Sequence, residues 1–278
     1  MTIIWCIFLA IIGAALGSFV GAMTYRMKKK LNWVSGRSMC EHCKHQLNAL
    51  DLVPIFSWLF LHGKCRYCGK KIGWSAPVLE ISVAAVFVIS YLFWPFGQFV
   101  RSDGLTVICP GQILFFIVWL LIVIILTALL VYDAKWRLLP DKLIVPLIGL
   151  SLVFAVVNYL FVQHLGFGEF LLTVLLGMLP IAGVYGLLYL ISRGKWVGLG
   201  DVKLGLAIGL LLNWPGGLLV LFGANLLGTL AILPQLIRKK LKPSSQIPFG
   251  PYLIVATFVA VIFGQVIIDF VQKNLLLI

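Results

Sequence analysis

Apolar runs of about twenty residues recur along this chain, and that is the length an α-helix needs to cross the hydrocarbon of a bilayer. They fall near residues 3–23, 76–97, 112–132, 142–163, 168–191, 201–213, 216–236 and 250–272. In lipid every backbone N–H and C=O has to be satisfied within the chain, which leaves helices or closed barrels. A barrel would show short alternating strands, whereas these runs are continuous. With 62% of residues hydrophobic and 11% charged, the sequence predicts an all-α, polytopic integral membrane protein with about eight transmembrane helices. The sixth run is short. Asn213-Trp214-Pro215-Gly216-Gly217 separates it from the seventh, and because proline and paired glycines punctuate a helix, a tight turn is expected there on the outer side.

Charge orients the spans. No basic residue precedes the first run, while Arg26, Lys28, Lys29 and Lys30 follow it at once. That flank order reads as an anchor with its N-terminus outside and not as a cleaved signal peptide. Counting spans from there places all of the 22 Lys and Arg residues in inner loops except Arg101 and Lys273. An inserted or missing span would scramble this asymmetry. The net charge of +13 therefore reflects topology and attraction to anionic lipid headgroups. It does not read as a nucleic-acid surface, because the basic residues are spread over several loops without the interleaved aromatics of a single-strand binder.

The chain divides into a first transmembrane helix (1–25), a cytoplasmic loop domain (26–75) and a membrane core (76–278). The loop holds Cys40-Glu41-His42-Cys43 and Cys65-Arg66-Tyr67-Cys68, two Cys-x-x-Cys pairs whose separation is one residue beyond the usual ribbon spacing. Each is followed by a basic residue or glycine, Lys44 and Gly69. Redox-active pairs or thiols that only pack are the competing readings. A reducing cytoplasm disfavours disulfides, and a segment this small has little core of its own, so structural zinc on Cys40, Cys43, Cys65 and Cys68 is expected to supply folding energy. His42 and His45 are alternative ligands that four cysteines do not need. Cys6 and Cys109 have no spaced partner and read as a buried thiol in the first span and an exposed residue in the second loop.

Two aspartates need a reason for standing at the membrane edge. Asp201 follows two glycines in Gly198-Leu199-Gly200-Asp201-Val202-Lys203, and Asp133 closes another apolar run in Tyr132-Asp133-Ala134-Lys135. Two acids at one depth suggest one site, and a pair in low dielectric shares a proton. An ionised member can then activate water for attack on a peptide carbonyl, while the protonated member hydrogen-bonds the carbonyl oxygen. Gly198 and Gly200 would let backbone and substrate approach closely, and Lys203 is near enough to bias the pair. Intramembrane acid pairs also serve proton relays. Four further points stand out. Gly17-Ser18-Phe19 suits close helix packing or a substrate-facing surface. Glu80, just inside the second span, calls for a function or a cation partner. Asp141 after Pro140 fits a helix start. Pro248-Phe249-Gly250-Pro251 fits a rigid turn opening the last span.

Taken together, Gly198-Leu199-Gly200-Asp201, Asp133 with Leu139-Pro140-Asp141, the paired Cys-x-x-Cys knuckles, Gly17-Ser18-Phe19 with Tyr25-Arg26, and Pro248-Phe249-Gly250-Pro251 resemble the bacterial type IV prepilin peptidases, in order and over nearly the whole chain. That resemblance implies an intramembrane aspartic endopeptidase of the bacterial cytoplasmic (inner) membrane. It would cut prepilins and type II secretion pseudopilins after a glycine at the cytoplasmic face. It assigns catalysis to Asp133 and Asp201, with Gly198, Gly200, Lys203 and Asp141 as supporting motif residues. It also implies possible N-methylation of the new amino group from S-adenosylmethionine, a function associated with the cysteine loop. Gly21 stands where the family commonly has asparagine, in the region linked with methyl transfer, and Tyr132 where isoleucine is usual. The alternatives are a proton-coupled transporter, which would favour internal repeats with paired broken helices, and a non-catalytic pilus or secretion assembly factor.

The charge count sets a test of orientation. Single cysteines beside Lys135, Lys195 and Lys240, in a background lacking the native six, should react with an impermeant maleimide only after the inner face is opened. Cysteines beside Arg101 and Lys273 should react in intact cells, and labelling at 195 from outside would overturn the topology.

Overall fold

The computed structural model describes residues 2–32, 36–94, 110–160, 166–237 and 248–275. Cys109 and the basic residues Arg101, Arg238, Lys239, Lys240 and Lys242 lie outside the described residues. Among the described residues all regular structure is helical, with no strand beyond two isolated antiparallel bridges, Met39 with Gln46 and Lys64 with Lys71. The chain forms two compact units, residues 1–92 and 93–278.

In the first unit, α1 (Thr2–Lys28) packs along α3 (Ser75–Leu92). Glycine makes this contact possible. A Cβ at Gly13 would lie 2.7 Å from the Ala84 Cα, and one at Gly17 would lie 2.9 Å from the Glu80 Cα. Lipid tails are as apolar as leucine, so helices associate in a bilayer chiefly where small residues let their backbones touch.

Between these helices lie a 3₁₀ turn (Ala49–Leu52), the short helix α2 (Phe56–Phe60) and two cysteine knuckles. The knuckles share one backbone plan. Cys40 N–H donates to His45 O and Lys44 N–H to Cys40 O; in the second, Cys65 N–H donates to Lys70 O and Gly69 N–H to Cys65 O. The residue after each second cysteine is left-handed, with φ of 60° at Lys44 and 68° at Gly69. Glycine meets that requirement without a steric penalty, whereas Lys44 accepts it because the knuckle demands it.

The second unit comprises α4 (Pro110–Trp136), α5 (Asp141–Asn158), α6 (Phe167–Met178), a π-helical turn (Leu179–Gly183), α7 (Val184–Ser192), α8 (Leu199–Ile237) and α9 (Gly250–Leu275). Its core is apolar and aromatic, with Trp119, Ile122 and Leu126 fully buried and Phe115 stacked on Phe154 at 4.1 Å between centroids. The apolar runs of the sequence become seven long membrane-capable helices among the described residues, since α8 contains both the sixth and the seventh run.

That helix is not continuous. Asn213 has φ 58° and ψ −172°, outside helical geometry. Gly209 and Gly217 both approach the Gly177 carbonyl, although residues eight apart in a straight helix stand about 12 Å apart. The chain therefore doubles back at Asn213, where the Asn-Trp-Pro-Gly-Gly string interrupts the apolar sequence. Further on, Gly228 meets Phe249 and Tyr252 at the start of α9.

The fold predicts unequal tolerance of its glycines. A Cβ at Gly209 would lie 2.7 Å from the Met178 Cα, while one at Gly149 would have nothing within 4 Å. Gly209→Val should lower the melting temperature in detergent by several degrees, corresponding to about 1–3 kcal/mol of overpacking. Gly149→Ala should leave it unchanged.

Candidate active site and metal centre

Asp133 occupies the last turn of α4 and is 5% exposed. The helix ends just after it, where Arg137 turns left-handed at φ 54° and donates its N–H to Asp133 O at 2.8 Å. The carboxylate lies at the N-terminus of α9. A Cβ at Gly250 would stand 2.6 Å from Asp133 Oδ2, so only glycine leaves room, and the Gly250 N–H faces the acid. A helix N-terminus favours negative charge. Gly250 thus adds a contact with the acid to the turn read in Pro248-Phe249-Gly250-Pro251.

Asp201 occupies the first turn of α8. Its Oδ2 accepts from the Gly198 N–H at 3.3 Å, and its own N–H donates to Gly198 O at 3.1 Å. The carboxylate therefore closes the start of its own helix, where the macrodipole also favours it.

Leu139 joins the two acids. A Cβ at Gly200 would lie 2.9 Å from the Leu139 Cβ, and one at Gly250 would lie 3.6 Å from Leu139 Cδ2. One leucine thus packs against the residue before Asp201 and the residue touching Asp133, and Asp133 is close enough to act electrostatically on Asp201. Lys203 is committed elsewhere. Its Nζ lies 2.7 Å from Asp141 Oδ1, which fastens the first residue of α5 to α8 and leaves the acid pair without that cation.

Tyr185 is a neighbour that sequence reasoning missed. It is 4% exposed, its hydroxyl has no hydrogen-bond partner among the described residues, and it lies near Asn225 and Asp201 with its ring edge-on to Phe249 at 5.6 Å. The π-helical turn containing Pro180 precedes α7 and sets the register that turns Tyr185 inward. Nothing in the sequence separates it from a tyrosine facing lipid.

In the first unit the Sγ atoms of Cys40, Cys43, Cys65 and Cys68 all lie within 4.8 Å of one another, Cys40 and Cys68 at 3.9 Å. A tetrahedral zinc with bonds of about 2.3 Å would place its sulfurs about 3.8 Å apart, so the donor set fits. The Cys43 and His42 amides, outweighing burial, bring the Cys40 thiol down to about 7. Against the Lys70 amide, which lowers it, burial and the neighbouring sulfurs push Cys68 up to about 11. A cation is what would hold all four as thiolates. His45 is instead stacked on Tyr67 at 3.7 Å between centroids.

Asp51 braces the second knuckle. It accepts from the Asn48 N–H at 3.2 Å and the Tyr67 hydroxyl at 3.0 Å, with Arg66 Nε at 2.8 Å. Burial alone would raise this acid, but these partners win and hold it below the ordinary carboxylate range. A depressed acid stabilises the loop above its unfolded pKa and loses that contribution as pH falls through the lower folded value. Beside it opens a cavity of about 310 Å³, bounded by Ser18, Leu47, Trp58, Leu61, Pro77 and Glu80.

Residues 11–94 match the family model for the bacterial peptidase A24 N-terminal domain, and residues 114–233 match that of the type IV leader peptidase family. The chain is 33% identical over 240 residues to the prepilin leader peptidase/N-methyltransferase of Dichelobacter nodosus, covering 85% of this chain and 74% of that protein. It is 30% identical over 250 residues to the protein of that name from Aeromonas hydrophila, covering 88% and 78%. With the Pseudomonas aeruginosa protein of that name it shares 27% over 282 residues, 92% and 89% of the two chains. No solved structure matches.

The sulfur geometry predicts a metal count. Cys40→Ser with Cys65→Ser should release one zinc per chain by elemental analysis and expose residues 36–74 to protease, with the helical signal of the membrane spans retained. Metal-free wild-type protein, purified without chelators, would contradict this.

Proposed function

The chain belongs to the type IV leader peptidase family, and we propose that Asp133 and Asp201 are the catalytic pair with which it removes prepilin leaders. The observation that carries this reading is the proximity of Asp133, at the end of α4, to Asp201, at the start of α8: the two act on each other electrostatically, and Leu139 packs on Gly200 beside one and on Gly250 beside the other. One ionised carboxylate takes a proton from water as its oxygen attacks the scissile carbonyl carbon. The protonated partner donates a hydrogen bond to the carbonyl oxygen, and a proton then passes to the leaving amine as the C–N bond breaks. Gly200 and Gly250 keep side chains out of the approach. Lys203 and Asp141 act at one remove by holding α5 to α8.

The substrates in this reading are prepilins and type II secretion pseudopilins, cleaved at the cytoplasmic face of the inner membrane with the N-terminus of the enzyme outside. Structural zinc sits on Cys40, Cys43, Cys65 and Cys68 and stabilises the loop. The relatives' name carries a second activity, N-methylation, which we assign to the first unit because both aspartates lie in the second. S-adenosylmethionine supplies the methyl group. The cavity beside Glu80 has a volume ordinary for a small-ligand site, and the Trp58 ring on its wall suits a cationic nucleoside.

Mass spectrometry of a prepilin incubated with the purified chain tests the pair. Asp133→Asn and Asp201→Asn should each reduce cleavage by about a thousand-fold or more, and the double variant should be no worse, because either change dismantles a site that acts as a unit. Cleavage by the wild type should fall on both sides of a pH maximum that belongs to the pair. Asp201→Asn cutting at the wild-type rate would end the proposal.

A further inference from the structure

Glu80 is the buried acid that peptide cleavage does not use. It stands in the first turns of α3, 7% exposed, at the wall of the 310 Å³ cavity. Its Oε2 accepts from the Ile55 N–H at 2.7 Å. Among the described residues no Lys, Arg or His forms an ion pair with it: of the basic side chains on the cavity, Arg66 is paired with Asp51, and Lys71 and His42 stand on the wall without reaching Glu80 as ion-pair partners. A carboxylate withdrawn from water with one backbone donor and no ion-pair partner is costly to keep.

The donor itself is strained. Ile55 has φ 62° and ψ −54°, and the Phe56 N–H donates to Pro54 O at 2.6 Å. That is the rare γ-turn with positive φ, here centred on a β-branched residue. Strain of this kind persists where the surroundings over-determine it, and it clusters at binding sites.

We propose that Glu80 binds the free α-amino group of the cleaved pilin and is the acceptor-side residue of methyl transfer. This rests on the assignment of N-methylation to the first unit. Two cations meet in such a reaction, the ammonium and the methyl sulfonium, and charge flow decides which one a carboxylate should face. The bound ammonium loses a proton to water, and Glu80 stays ionised beside it. The nitrogen lone pair then attacks the methyl carbon, and the S–C bond breaks with its electron pair going to sulfur. Positive charge leaves sulfur and appears on nitrogen. A carboxylate beside sulfur would stabilise the charge that has to vanish, whereas one beside nitrogen stabilises the charge that forms. The apolar side chains around Glu80, Trp58, Leu61 and Pro77, suit an apolar first residue of the mature pilin.

Glu80→Gln keeps an oxygen for the Ile55 N–H but removes the charge, so a merely structural role would survive it. The full-length protein in detergent should bind an apolar peptide with a free α-amine about ten-fold more tightly than its N-acetylated twin, and Glu80→Gln should erase that preference. With prepilin and S-adenosylmethionine, the variant should cleave normally and methylate at least about a hundred-fold more slowly. Its affinities for S-adenosylmethionine and S-adenosylhomocysteine should both match those of the wild type. Selective loss of S-adenosylmethionine binding would put Glu80 beside the sulfonium and overturn the proposal. So would wild-type indifference to acetylation, or methylation by the variant within about three-fold of wild type. A wild type that prefers the free amine yet transfers no methyl group would sink the methyl-transfer assignment and leave the amine site standing.

Discussion

Helices in a bilayer gain nothing from leaving lipid for one another's apolar faces, so the architecture depends on where their backbones can touch. In the first unit Gly13 and Gly17 bring α1 against Ala84 and Glu80; in the second, Gly205 and Gly209 of α8 meet Ile181, Gly177 and Met178. These contacts do more than hold helices together. Gly17 lies against the backbone of Glu80 itself, and the run from Gly205 to Gly209 fixes the first half of α8, whose first turn carries Asp201. The polar chemistry of both units hangs on places where a side chain has been omitted.

The acids are affordable because of where the helices end. Asp133 faces the first turn of α9, and Asp201 closes the first turn of its own helix. Both meet backbone N–H groups that have no partner within a helix, so the positive ends of two helices stand in for water. Outside the membrane the problem is reversed. The loop has too little apolar sequence for a core, and four clustered cysteine sulfurs with an Asp51 brace stand where packing would elsewhere.

Much of this was legible in the residues, and the reasons differ by feature. The helices could be read because bilayer thickness imposes a length, and the reversal at Asn213 because proline and glycine interrupt an apolar run there. The cysteine cluster could be read because tetrahedral ligation restricts spacing. Asp133 and Asp201 stood out because charge beside hydrocarbon is rare. What stayed hidden were contacts with no local signature. Gly250 looked like part of a turn, yet its missing Cβ makes room for Asp133. Lys203 looked like a neighbour of Asp201, yet it reaches Asp141, a residue whose start-of-helix pattern gave no hint of an ion pair. Tyr185 depends on the register of a π-helical turn. Each is a property of packing between distant segments, which periodicity and propensity do not encode.

A proton path would make different demands on the same acids. Translocation needs polar groups at successive depths that can pass a proton from one to the next. In the second unit the hydroxyls of Thr127 and Thr257 donate to their own helices, to Val123 O and Leu253 O, while Ser151 and Asn158 are buried along α5 and Tyr185 in α7. Trp119, Ile122 and Leu126 fill the core along α4 between Asp133 and the far end of the helix. The carboxylates instead gather at one end, around a leucine and two glycines that leave backbone room beside them. In the reading proposed above, that room is what an extended peptide would use to reach the two acids.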